Sequence, residues 1–301
     1  RTAITGISVK APSRVVRSIA IDRDHQRLAT GSDDDTTALW DLRQHKLLVT
    51  LRHKLGGGTP NTSPTFTSGD VAFGQDGQML AVGSDADAVV LWDVTGRKPV
   101  GTLAKSTGYP HVAFSPNGQA VAGSNGNTLT LWNTSSRSLT ASKAIRSEPQ
   151  TLAFSPDGKT LASSGEDGTV RLWDSHTGAQ LGTVTQAGAE VHGLVFSHDG
   201  RRLATSGPFW TVRVWDSHAG TPPVTMPQSD SDIRGVAFSP DGRRLVGIQN
   251  DHTVMVWDVA TGKQQLSLLG HAGPILDVTF SRDGTRLATA GLDGTVRLWD
   301  S

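Results

Sequence analysis

Cysteine is absent from the 301 residues, which removes disulfides, thiolate nucleophiles and cysteine-rich zinc sites. A reducing compartment fits that absence, so a cytoplasmic location is expected. A bias of charge is missing too. Lys plus Arg equals Asp plus Glu at 28 each, so no long-range field recruits nucleic acid or an acidic membrane surface, and neither is expected as a partner. No apolar run approaches the roughly 20 residues of a membrane helix, and no basic-then-apolar signal segment opens the chain. It starts at Arg1 rather than Met, from which we expect part of a longer, multidomain polypeptide. Sustained apolar periodicity of 3.6 residues is also lacking, whereas alternation of period two recurs throughout.

What is present is turn chemistry. The chain holds 34 glycines and 14 prolines, a composition pointing to many turns and hence to β structure. A Trp followed by Asp or Asn recurs at Trp40, Trp92, Trp132, Trp173, Trp215, Trp257 and Trp299, with spacings of 52, 40, 41, 42, 42 and 42. Before each lies an apolar strand running into a hairpin turn, as in "LAFSPDG" and "VAFSPDG", with the degenerate "IAIDRDH" in the first copy. The fixed φ of Pro, the side-chain acceptor of Asp and the positive φ of Gly make each such word a turn. A second strand such as "RLATSG", a third such as "TVRLWD" and a weaker fourth such as "QLGTV" complete each unit. Seven units of four short strands read as seven propeller blades.

These landmarks resemble those of the WD-repeat β-propeller family, and the resemblance covers the whole chain. It implies an all-β, seven-bladed β-propeller of four-stranded antiparallel blades, residues 1–301 forming a single domain. The chain stops at Ser301, just after the third strand of the seventh unit, while "RTAITGISV" precedes the first. Residues 3–9, with Ile4, Ile7 and Val9, are therefore expected to supply the outer strand of the seventh blade and to close the ring, removing two exposed sheet edges.

The resemblance also implies a buried hydrogen-bonded tetrad of His, Ser or Thr, Asp and Trp in each blade. The seventh unit alone has all four, in His271, Thr289, Asp293 and Trp299. The first keeps Thr30, Asp34 and Trp40, the fourth Ser163, Asp167 and Trp173, and the sixth Asp251 and Trp257 with Gly247 at the hydroxyl position. A structural role is expected for these groups rather than that of a nucleophilic triad.

Other chemistry is thin. His176 and His218 occupy equivalent turns of adjacent units, and such positions stand more than ~10 Å apart, too far for one metal with ligand bonds near 2 Å. No metal and no cofactor is expected. "LGGGTPNTSP" lacks the Gly-Lys-Ser/Thr ending of a P-loop, and neither Gly-x-Ser-x-Gly nor His-Glu-x-x-His occurs. The chain is expected not to be an enzyme.

Two irregularities stand out. "SGPFWTVRVWD" places Pro208, Phe209 and Trp210 where other units have a polar turn, and residues 54–69 account for the long first spacing. The resemblance puts both on one rim of the ring, the usual contact face. There Phe209 and Trp210 either anchor a partner or fold back as a plug for the missing Asp. Counting four residues before each first-strand aromatic, or Ile21, gives Arg17, Gly69, Pro110, Gln150, His192, Arg234 and Leu276 around the channel mouth. The turn positions beside them include Asp33, Glu166 and Leu292. Mixed charge with an aromatic point favours a protein or peptide partner. The expectation is a monomeric, non-catalytic scaffold or sensor module, resembling bacterial WD-repeat domains of larger regulatory proteins. The alternative is a small-ligand or enzymatic site at the channel mouth using His192 and Arg234.

Overall fold

The Ser-Pro-Asp-Gly words fold into one repeated device. Ser155 Oγ donates to Asp157 Oδ1 at 2.6 Å, the amides of Thr160 and Lys159 donate to Ser155 Oγ and Asp157 Oδ1, and Gly158 takes a φ of 70°. The same set recurs at Ser197 and Asp199, Ser239 and Asp241, and Ser281 and Asp283. The serine hydroxyl is the foremost cause holding the carboxyls of Asp157, Asp199 and Asp241 below the usual range. The degenerate first unit solves the same problem differently: buried Asp22 accepts from Arg27 Nε at 2.7 Å and from the Arg27 amide.

This computed structural model describes residues 7–10, 15–22, 27–32, 36–52, 70–74, 77–84, 88–105, 111–125, 127–146, 149–185, 190–207, 211–217, 223–226, 231–281 and 283–300. They form seven four-stranded antiparallel sheets and no helix. Six sheets are consecutive meanders of first, second, third and outer strand. The seventh takes its outer strand, Ile7–Lys10, from the other end of the chain, pairing Ile7 with Leu298 and Val9 with Val296. The ring closes as expected at Ile7 and Val9, while Ile4 lies outside the described residues.

Seven hydrophobic clusters hold the ring, each built from two neighbouring blades. Sandwiched second strands are therefore buried on both faces, as in Arg27–Ser32 and Arg202–Gly207, and read as apolar and small residues without strict alternation. Each repeat Trp sits across from a buried Leu or Val of the second strand, for example Trp40 opposite Leu28 and Trp299 opposite Leu287. Six of these seven repeat Trp side chains are buried, and Trp215 of blade 5 is half-buried. Outer strands face water: Leu139 and Leu181 are exposed on two different blades, single exposures of the ordinary kind.

Candidate functional site at the channel mouth

First strands lie nearest the channel, and several begin with a β-bulge. In blade 1, Val16 pairs with Ser32 and Ser18 with Gly31, leaving Arg17 as the extra residue. Arg234 is extra in blade 6 and Leu276 in blade 7, while Gln150 and Thr151 share one irregular step in blade 4. A bulge breaks the alternation of side chains and re-aims the extra one. Consecutive residues consequently face the lumen.

The result is a cavity of about 360 Å³ whose wall contains Arg17, Gln150, His192, Arg234 and Leu276, every described member of the expected mouth set. A deeper ring, one residue further along each strand, lines it as well: Ser18, Asp70, His111, Thr151, Gly193, Gly235 and Asp277. Counting three residues back from each first-strand aromatic, or Ile21, as well as four finds this second ring in the sequence.

Second-to-third-strand turns brace the mouth. Gln150 Nε2 donates to Glu166 Oε1 at 3.2 Å, and Arg234 Nε donates to Asn250 Oδ1, both pairs being 16 residues apart in sequence. Leu276 and Leu292 occupy the same pair of positions in blade 7, where Leu292 is 38% exposed. Phe209, Trp210, Asp33 and residues 54–69 lie outside the described residues.

The deeper ring forms an arc of hydrogen bonds across blades. Val71 N–H donates to Ser18 Oγ at 3.3 Å, Ile19 N–H donates to Asp277 Oδ2 at 2.7 Å, and Asp70 Oδ2 meets His111 Nδ1 at 2.9 Å. Blades 7, 1, 2 and 3 are tied together in this way. Although Asp277 keeps some surface on the lumen, the protein around it desolvates the carboxyl and, with Asp70 adding a like charge, pushes its pKa up to about 7. The amides of Ile19 and Val278 and the Ser18 hydroxyl act in the opposite sense.

The tetrad of blade 7 is a continuous chain. Trp299 Nε1–H donates to Thr289 Oγ1 at 3.0 Å, Thr289 Oγ1 meets His271 Nε2 at 2.8 Å, and His271 Nδ1 meets Asp293 Oδ2 at 3.0 Å. A carboxylate only accepts, so Nδ1 carries the proton and Nε2 accepts from the threonine hydroxyl. Burial keeps the His271 pKa below its usual value despite the neighbouring carboxylate. Asp293 is pushed up by burial, but the Thr295 hydroxyl and amide, the Ala272 amide and His271 outweigh that and bring it to about 2. Thr289 is wholly buried, so this Thr–His–Asp set has no surface through which its hydroxyl could reach a substrate.

Elsewhere the tetrad is partial. Trp40, Trp173 and Trp215 donate to Thr30, Ser163 and Thr205. Without a histidine, Asp167 turns outward to Arg171, 2.6 Å away. Gly247 serves another purpose: a Cβ there would lie 2.6 Å from the Trp257 ring, whose close approach only a glycine permits. His176 sits in a polar turn beside Ser175, and among the described residues no group of three His, Asp or Glu side chains could hold a metal.

At the opposite end of the channel, a cavity of about 650 Å³ is lined by Phe73, Phe154, Phe196, Phe238, Phe280 and the turn prolines. Phe154, Phe196 and Phe238 are buried between blades, so these rings belong to the core.

Residues 7–41, 97–133, 137–174, 220–258 and 262–300 match the WD domain, G-beta repeat family. Each matched segment takes in the outer strand of one blade and ends in the third strand of the next, the offset that closes the ring. The stretches between matches include residues 54–69 and Pro208-Phe209-Trp210. No curated protein matches the chain. WD40 propellers generally act as protein-interaction scaffolds and are typically non-enzymatic. Because the matches cover more than half of the chain and the blades are complete, the chain belongs to the WD domain, G-beta repeat family.

Proposed function

We propose that this propeller is a non-catalytic scaffold or sensor module that binds a protein or peptide on the rim surrounding the channel mouth. The carrying observation is the set of bulges that re-aims Arg17, Arg234 and Leu276, with Gln150 and His192, into one cavity. Core packing gives no reason for a long cationic side chain at a channel wall, whereas Arg and large apolar groups are the usual anchors of protein interfaces. On this reading Phe209, Trp210 and residues 54–69 extend the same face, Asp33 and Glu166 belong to its polar border, and residues 1–301 act as one monomeric domain of a larger, cytoplasmic, bacterial protein. Neither nucleic acid nor membrane is a partner.

Affinity capture from the native lysate tests it, using the wild type, Phe209→Ser/Trp210→Ser, Arg234→Glu and the outer-strand control Leu181→Lys. The rim variants should melt normally and lose a captured protein that the control retains. Capture unaffected by the rim variants, or a hydrolase or transferase activity abolished by one rim substitution, would overturn the proposal.

A further inference from the structure

The mouth has a chemical polarity of its own, and this inference rests on the rim reading above. Blade 7 presents Leu276 to the cavity, and its two neighbours, blades 1 and 6, present Arg17 and Arg234 at the equivalent bulge positions. A leucine flanked by two arginines is thus fixed in one arc of the mouth.

The carboxylates of the same wall are already engaged. Asp70 meets His111 at 2.9 Å, and Asp277 accepts the amides of Ile19 and Val278, both at 2.7 Å. Glu166, on the turn above, accepts from Gln150. The arginines are placed otherwise. Arg234 is exposed and is oriented by the neutral side chain of Asn250, and Arg17 Nε is buried without a hydrogen-bond partner. Among the described residues neither guanidinium makes an ion pair. His192 is the remaining basic group of the wall, with Glu190 3.9 Å from its Nδ1.

Arg234, held by the neutral side chain of Asn250, is prepared to receive a carboxylate in the paired hydrogen bonds that a planar fork makes well; Asp33, the residue of blade 1 equivalent to Asn250, lies outside the described residues. Leucine beside the arginine asks for an apolar contact. We propose that the channel mouth binds an acidic peptide segment of its protein partner, with carboxylates on Arg17 and Arg234 and an aliphatic side chain of the segment over Leu276. The overall charge of the chain is zero, so this selectivity is local to the mouth.

The bulges make the arrangement specific to these blades. Extra residues in a strand leave their backbone outside the regular ladder and turn the side chain towards the lumen, so the three groups converge without loss of blade pairing. In blade 5 the corresponding first strand, Gly193–Phe196, begins after His192, and the two deep-ring glycines, Gly193 and Gly235, are required by packing: a Cβ would lie 2.5 Å from Ser206 Oγ at the first and 3.0 Å from the Ile248 side chain at the second. Selectivity therefore resides in the arc of blades 6, 7 and 1.

Fluorescence anisotropy with defined probes tests this proposal. The probes are a labelled, end-blocked octapeptide of alternating Glu and Leu, its Lys/Leu and Glu/Ser counterparts, a labelled single-stranded oligonucleotide and phosphatidylserine vesicles. The Glu/Leu peptide should bind, Arg17→Gln and Arg234→Gln should each weaken it about tenfold, Leu276→Asn should weaken Glu/Leu but not Glu/Ser binding, and Leu181→Lys should change nothing. Arg234→Glu, at an exposed position, should reverse the preference towards Lys/Leu. Binding of the Lys/Leu peptide as tightly as the Glu/Leu peptide would overturn the acidic assignment while leaving a peptide-binding mouth intact. Arginine-dependent binding of the oligonucleotide or vesicles that exceeds that of the Glu/Leu peptide would overturn it in favour of another class of partner. No Arg234-dependent binding of the Glu/Leu peptide at millimolar concentration would overturn it outright, whereas the rim reading fails separately in the capture experiment.

Discussion

Blade 7 and blade 5 are built from nearly the same words, "GTVRLWD" and "WTVRVWD", yet they differ in what secures them. In blade 7 the indole, hydroxyl, imidazole and carboxylate form one chain from Trp299 to Asp293. Among the described residues of blade 5 that chain is a single bond from Trp215 to Thr205, the indole is half-buried, and the outer strand is Val224–Thr225. The blade joining the two ends of the polypeptide carries the full polar network; the one bearing Phe209 and Trp210 does not. The departures from the repeat, Pro208-Phe209-Trp210 and residues 54–69, fall outside the blade that joins the two ends.

The largest effect should come from breaking the seam. Deleting residues 1–10 removes the Ile7–Lys10 strand and exposes the edge of Thr295–Asp300, so scanning calorimetry should show a fall of more than about 10 °C, with aggregation. An unchanged transition would mean that the ring does not depend on this pairing.

Next come the two aspartates. Asp293→Ala deprives His271 and the Ala272 and Thr295 amides of their acceptor and should cost about 3 kcal/mol in urea unfolding. Asp167→Ala breaks a half-exposed pair with Arg171 and should cost less than about 1 kcal/mol. Because the folded pKa of Asp293 lies near 2, below its unfolded value, its contribution is complete above about pH 4 and disappears as pH falls from there towards 2. Asp293→Asn should flatten that part of the stability curve. The raised pKa of Asp277, about 7, acts with the other sign: its contribution is fullest below about pH 4 and declines as pH rises to 7.

A smaller effect should follow from restoring a hydroxyl. Gly247→Ser in blade 6 supplies the hydroxyl found in blades 1, 4, 5 and 7, but its Cβ would meet the Trp257 ring. Destabilisation of about 2 kcal/mol is therefore expected; a gain would show that the indole can move to accept the hydroxyl. Thr205→Val in blade 5 should cost about 1 kcal/mol, and Thr289→Val in blade 7 more, because there the hydroxyl serves both Trp299 and His271.

Much of this was legible in the sequence. Seven Trp-Asp or Trp-Asn words, each preceded by a turn with its own hydrogen-bond chemistry, specify blades, and the alternating Ile7 and Val9 ahead of the first unit mark the strand that closes the ring. Arg17, Gln150, His192, Arg234 and Leu276 were found by counting back four residues from an aromatic or from Ile21, which works because that position lies on the channel wall in each of these blades, with a bulge or without one. Less legible was whatever depends on two blades at once. Asp277 reads as a polar residue in an apolar strand until Ile19, 258 positions away, is seen donating to it. Gly247 reads as a lost hydroxyl until the Trp257 ring is seen lying on it. Repetition in sequence reports the blade, while bulges and contacts across blades make the site.

Hydrogen exchange of the indole N–H groups of the seven repeat tryptophans, followed by NMR in the intact chain, tests most directly whether blades 7 and 5 are secured differently. Trp299 should exchange slowest, near the limit set by global unfolding, and Trp215 fastest by local opening. Equal protection of the two, or faster exchange at Trp299, would contradict the account.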